Sequence, residues 1–176
     1  TGLFKVQFTV DTQPYDWKDI VGYGNTTQQS ATSTMFSIKA TIIEFTPTIG
    51  TVGTIVTIKG NGYKSSKSMA INIDSHAMVG GGVFSSSSNG TFDKTIDMCA
   101  HPYGTRTVVV IQSGVPQIEK LFKMVPNIYF VSPLSGTVGT KVTISGNGYE
   151  FNEQIDINFG TTQTITTATA IGVESN

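Results

Sequence analysis

One seventeen-residue phrase occurs twice in this chain. Residues 47–63 read PTIGTVGTIVTIKGNGY and residues 133–149 read PLSGTVGTKVTISGNGY, with about thirteen of the seventeen positions identical. Pro47 returns as Pro133, a displacement of 86 residues. A second element, Gly2-Leu3-Phe4 followed by Pro14-Tyr15, returns as Gly90-Thr91-Phe92 followed by Pro102-Tyr103, displaced by 88. Such recurrence constrains the fold strongly, because each period must be one structural unit that stacks on its like. The 176 residues amount to two periods. The two elements run out of phase, which divides the chain in three. Residues 1–40 repeat the back half of a unit, 41–126 contain a whole unit, and 127–176 repeat a front half.

Within a period, apolar residues alternate with Thr, Lys or Asn over short runs bounded by Gly, Pro, Asn and Ser. This is strand patterning. Strands are expected near 42–45, 55–59, 70–74, 92–98, 106–112 and 121–125, with a further short one near 77–83. Phe92, Lys94, Ile96 and Met98 should share one face. The Val-rich run 107–112 reads as a strand buried on both faces. No helical periodicity is sustained, and the glycines at 50, 53, 60 and 62 would break a helix there. Six or seven short strands per period predict an all-β chain of tandem two-sheet sandwiches. Only 13 % of residues are charged, and 19 are Gly, which suits twisted sheets with tight turns. Gly80-Gly81-Gly82 through Ser85-Ser86-Ser87-Ser88 is the single low-complexity patch, a loop inside the middle unit. Units follow one another without a spacer, as at Met124-Val125-Pro126-Asn127.

The repeated phrase resembles the opening of IPT/TIG immunoglobulin-like domains. The residues that carry the likeness are Pro47, Gly50, Gly53, Thr54, Val56, Ile58, Gly60, Gly62 and Tyr63. They recur as Pro133, Gly136, Gly139, Thr140, Val142, Ile144, Gly146, Gly148 and Tyr149. Phe159-Gly160 matches a Phe-Gly that usually follows in this family, whereas the middle repeat departs there with Ile73-Asp74. Asn89-Gly90-Thr91-Phe92 with Pro102 also looks family-like. The resemblance implies tandem immunoglobulin-like β-sandwich domains. It says less about activity, because such domains serve as spacers, adhesive modules and enzyme appendages. The array and its Thr-rich, low-charge composition look most like microbial surface-layer, sheath or adhesin proteins. Tyr63 and Tyr149 are expected to plug the end of each sandwich, with their hydroxyls at the rim.

A search for chemistry yields little. Net charge is −1 and the sequence pI about 6.0, so nothing here would neutralise a nucleic-acid backbone. The one cysteine, Cys99, cannot form an intrachain disulfide and leaves the redox compartment open. Cys99 and His101 sit two apart at a strand end and would share a face, but no third ligand stands at zinc spacing. They are read as a half-buried thiol and a turn histidine, and no catalytic or metal residue is assigned. Calcium between units would fall to Asp11, Asp16 and Asp19 or to Glu150, Glu153 and Asp156. Neither group has the density of a dedicated loop, and solvated turn carboxylates are the alternative. Tyr15, Trp17 and Tyr23 are candidates for a sugar-stacking platform, against a packing role for Trp17 at a junction. Asn25-Thr26-Thr27 and Asn89-Gly90-Thr91 are glycosylation acceptors in expected loops. An isopeptide cross-link needs a buried Lys, Asn and acid together, and Lys59 has no evident partners.

These observations favour a non-enzymatic structural protein, extracellular or on a microbial cell surface, whose work is mechanical. The alternative is a carbohydrate-binding or adhesin module of a larger protein, with a cell-wall or surface glycan as partner. No apolar run approaches the roughly 18 residues that span a membrane. The opening on Thr1 rather than Met is expected of a processed or excised product. The two half units would each expose strand edges and an apolar face. Either they complete one another between copies, head to tail, or neighbouring sequence supplies what is missing.

Overall fold

The computed structural model describes residues 2–74, 76–77 and 82–171, and only the backbone at 76–77 and 162–164. The described residues contain strands and turns and no helix. Hence no helix among them is long and apolar enough to cross a membrane. The serine-rich patch and the strand expected near 77–83 fall partly outside the described residues.

The first segment holds β1 (Asp16–Ile20) and β2 (Thr34–Ile38). The middle segment holds β3 (Thr41–Thr46), β4 (Ile49–Gly50), β5 (Ile55–Asn61), β6 (Ser68–Ile73), β7 (His76–Ala77), β8 (Phe84–Ser85), β9 (Phe92–Asp97), β10 (Gly104–Gln112) and β11 (Ile118–Met124). The last segment holds β12 (Asn127–Ser132), β13 (Thr143–Asn147), β14 (Gln154–Phe159) and β15 (Thr162–Thr169).

The middle segment forms two sheets. In one, β5 lies between β3 and β9, both antiparallel to it. The other runs β4-β11-β10-β6-β7, with β8 beside β6 and β4 parallel to β11. Both contribute to a single buried cluster: Val56, Ile58 and Ile96 from the first, Ile71, Val108 and Phe122 from the second. The arrangement is consistent with a β-sandwich. Each such side chain contributes about 1.5–3 kcal/mol by leaving water. Phe92, Ile96 and Met98 all point inward as their alternation requires, and Lys94 lies half-buried with its ammonium 5.7 Å from the Phe84 ring centroid.

Three expectations need correction. The Val-rich strand β10 is not buried equally on both faces: Val108, Val110 and Gln112 are buried, while Val109 and Ile111 are only half-buried, because the core cluster lies on one side of the strand. The strand expected at 70–74 ends at Ile73, where Asp74 turns the chain at φ 46°. The Tyr63 hydroxyl is not at a rim. The whole residue is buried, its ring meets Phe92 edge-on at 5.2 Å, and its oxygen has no hydrogen-bond partner among the described residues. Burial pushes the phenol up, above its ordinary range.

The outer segments repeat the pairings of the middle one. β1 pairs with β2 in the register of β10 with β11, Asp16↔Ile38 standing where Gly104↔Met124 stands. β12 pairs with β13 as β3 pairs with β5, including the bulge, which falls between Ile128 and Phe130 in one and between Ile42 and Glu44 in the other. β14 pairs with β15 as β6 pairs with β7, Phe159↔Thr162 matching Ile73↔His76. Each of these outer hairpins is a two-stranded sheet.

Candidate functional site

The sequence candidates are dispersed. Tyr15 packs on the middle core and its N–H donates to the Tyr63 carbonyl at 2.9 Å, so its role is to seat the first segment on the middle one. Trp17, on β1 opposite Ser37, is 60 % exposed. Tyr23 is exposed too and is tied into its own turn, its hydroxyl hydrogen-bonded to Gln28. No ring pair joins the three. The concavities of this region are lined by Val10, Phe36, Lys39 and Gly62, and by Val6, Phe8, Ile20 and Phe36, with none of the three aromatics among their walls.

Asn25 and Asn89 both stand exposed in turns. The Asn89 side-chain carbonyl accepts from Thr91 Oγ1 at 3.1 Å and from Ser87 Oγ, and Gly90 beneath it is buried against the Tyr63 carbonyl and Pro14.

Cys99 Sγ lies 3.3 Å from His101 Nε2. Burial pushes the thiol up from its ordinary value. An activated nucleophile needs the reverse, a thiolate held by nearby positive charge. Four of the six candidate acids accept local hydrogen bonds. Asp11 accepts from Gln13, Asp16 from the Trp17 N–H, Glu153 from the Glu150 N–H and Asp156 from Gln154. Among the described residues no three His, Cys, Asp or Glu side chains form a group able to hold a metal ion.

Lys59 does have partners. Its Nζ lies 3.1 Å from Glu44 and 3.6 Å from Asp93, its cross-strand neighbours on the outer face. The hydrogen bond to Glu44, then the charge of Asp93, raise its pKa. An exposed cross-strand ladder, not a buried cross-link triad, is what the sheet builds there.

Two polar networks went unnoticed in the sequence. Gln112 accepts from the Lys64 N–H at 2.7 Å and donates to Ser86 Oγ at 3.2 Å, pinning the 64–67 loop over the end of β10. Arg106 pairs with Asp74 at 3.3 Å and donates to the carbonyls of Pro102 and Tyr103 at 3.0 and 2.8 Å, while Asp74 also accepts from the Thr107 N–H. Only a signal linking positions 26 and 32 residues apart would have revealed them.

The feature that most distinguishes the surface is apolar. Leu3, Phe4, Val6 and Phe8 are exposed on a segment that belongs to no strand. Ile128, Val142, Ile144 and Phe159 are exposed on the hairpins of the last segment. Among the described residues β13 is hydrogen-bonded only to β12, and β14 only to β15, so each presents an open edge there. Exposed apolar residues beside an open edge are groups that another strand could cover. No known family model matches the chain, and no curated protein matches it.

Proposed function

We propose that the chain is a non-enzymatic structural protein of a microbial cell surface or extracellular filament, built from IPT/TIG-type immunoglobulin-like units, with copies of itself as partners. One observation carries this reading: the same seventeen-residue phrase is folded twice, buried once and left with its apolar face open once. A face of that kind serves association rather than chemistry. The Cys99 thiol adds support, since burial raises its pKa, the reverse of what an activated nucleophile needs. Surface proteolysis of the intact cells that make the protein tests it. Peptides of this chain should be released before cytoplasmic markers, and their retention until lysis would overturn the placement.

A second reading, a carbohydrate-binding or adhesin module, is favoured by the exposure of Trp17 on β1. A glycan array probed with the wild-type chain and with Trp17→Ala decides it. Binding that disappears in the variant supports this reading, and equal or absent binding removes it.

A further inference from the structure

Resting on the reading of self-assembly above, we propose that residues 4–9 of one copy form the missing third strand on the open edge of β13 in a second copy, in the register of β9 on β5. In the middle segment that register is Gly60↔Phe92, Ile58↔Lys94 and Val56↔Ile96. Carried through the two displacements, 86 for the acceptor and 88 for the donor, it becomes Gly146↔Phe4, Ile144↔Val6 and Val142↔Phe8.

Three observations support the pairing. First, the donor alternates without a fault: Phe4, Val6, Phe8 and Val10 fall on one face, Lys5, Gln7, Thr9 and Asp11 on the other. Second, exposure inverts wherever the partner is missing. Ile96 is 2 % exposed and its counterpart Phe8 66 %; Val56 is fully buried and its counterpart Val142 49 % exposed. Third, the donor lies beside its own back-half hairpin, since residues 6–10 line one concavity with Ile20 and Phe36. In the middle core the counterparts of Phe8, Val10, Ile20 and Phe36, namely Ile96, Met98, Val108 and Phe122, pack together, and Lys94, the counterpart of Val6, lies half-buried. The incoming copy therefore brings a strand for β13.

The occupant is a second copy because the chain enters and leaves its middle unit at opposite ends. Entry is at Thr41, paired with Asn61, beside the Tyr15–Tyr63 bond. Exit is at Met124, paired with Gly50 beyond the far end of β3. A donor held at the entry end would have to cross the whole unit to reach β13 of its own chain. A contact of this head-to-tail kind does not close and propagates as a filament.

The test is a disulfide between directly opposed, outward-facing positions, Gln7 and Thr143, which stand where Thr95 and Thr57 stand in the middle sheet. Full-length Gln7→Cys and Thr143→Cys chains, each also carrying Cys99→Ser, are mixed and oxidised. A mixed dimer should form, and it should be lost when Lys141→Cys, two residues out of register, replaces Thr143→Cys. No mixed dimer, or equal yields at 141 and 143, would overturn the proposal. So would mass spectrometry of the native material showing a polypeptide that runs past Asn176 into its own back-half segment. A negative cross-link with positive surface proteolysis defeats this pairing alone; a positive cross-link with negative proteolysis defeats the surface placement alone.

Discussion

Residues 47–63 and 133–149 are nearly the same peptide in two settings. Locally they fold alike. Thr54 Oγ1 accepts from the Thr51 N–H at 2.9 Å, and Thr140 Oγ1 from the Thr137 N–H at 3.0 Å. Gly53 and Gly139 take φ 83° and 93°, Gly62 and Gly148 take 70° and 76°. At 62 and 148 a side chain would run into the backbone at Lys39 and at Val125, so the same tight approach joins each unit to the one before it. Burial is another matter. Ile58 is fully buried and Ile144 is 37 % exposed. Hairpin geometry belongs to the phrase, whereas the core belongs to whatever covers it.

The largest expected contrast is between equivalent phenylalanines. Phe122 is fully buried and its counterpart Phe36 is 43 % exposed. Phe122→Ala should cost the middle unit about 3–5 kcal/mol in urea denaturation of the dilute chain, by lost transfer energy and a cavity. Phe36→Ala should change the same transition by less than about 0.5 kcal/mol. Equal losses would mean that the first segment has a covered core of its own.

Gln112→Leu should cost about 1–3 kcal/mol, because it strands the Lys64 N–H beneath the loop. The counterpart of Gln112 is Gly24, so no such seal exists in the first segment. A shift in the urea midpoint reports it, and an unchanged midpoint would show that the loop is not held by this knot.

Gly62→Ala should destabilise by about 1–2 kcal/mol or more, since it forces Ala into the left-handed region against the Lys39 carbonyl. Gly148→Ala should leave the main transition in place and raise hydrogen exchange only around β12 and β13. If both variants shift the main transition equally, the two settings are energetically alike and the contrast fails.

The smallest effect concerns Cys99. Its folded-state pKa is raised by burial, so the fold favours the protonated thiol. That contribution is present below the unfolded pKa and is lost as pH rises through the folded value. Alkylation of the native chain at pH 8 should run slower than that of the urea-unfolded chain, with the gap narrowing at higher pH. Faster alkylation in the native state would point to an activated thiol.

Much of this fold could be read before any coordinates. The six principal strands of the middle segment announced themselves through alternation and through Gly, Pro and Ser punctuation, and they form where expected to within a few residues. The networks of Arg106 with Asp74 and of Gln112 with Ser86 did not, because each residue looks like ordinary surface polarity until a distant strand is laid beside it. Lys59 was misread for the same reason, as Glu44 and Asp93 reach it only through pairing across β3, β5 and β9. The dispersal of Tyr15, Trp17 and Tyr23 was equally hidden: closeness along the chain put them together, and the turn into β1 sent Tyr15 to the core.

The sequence by itself determined the strand pattern, the turns with their left-handed glycines and the register of each hairpin, because these rest on side-chain alternation and on steric limits within a few residues. Tertiary structure alone decided which copy of one phrase became a core. Val56 and Val142 carry the same apolar surface and sit in equivalent hairpins. Only Val56 has the strands β9, β10 and β11 to exclude water from it. The hydrophobic gain scales with the area that a second layer removes from solvent, and that layer is distant in sequence.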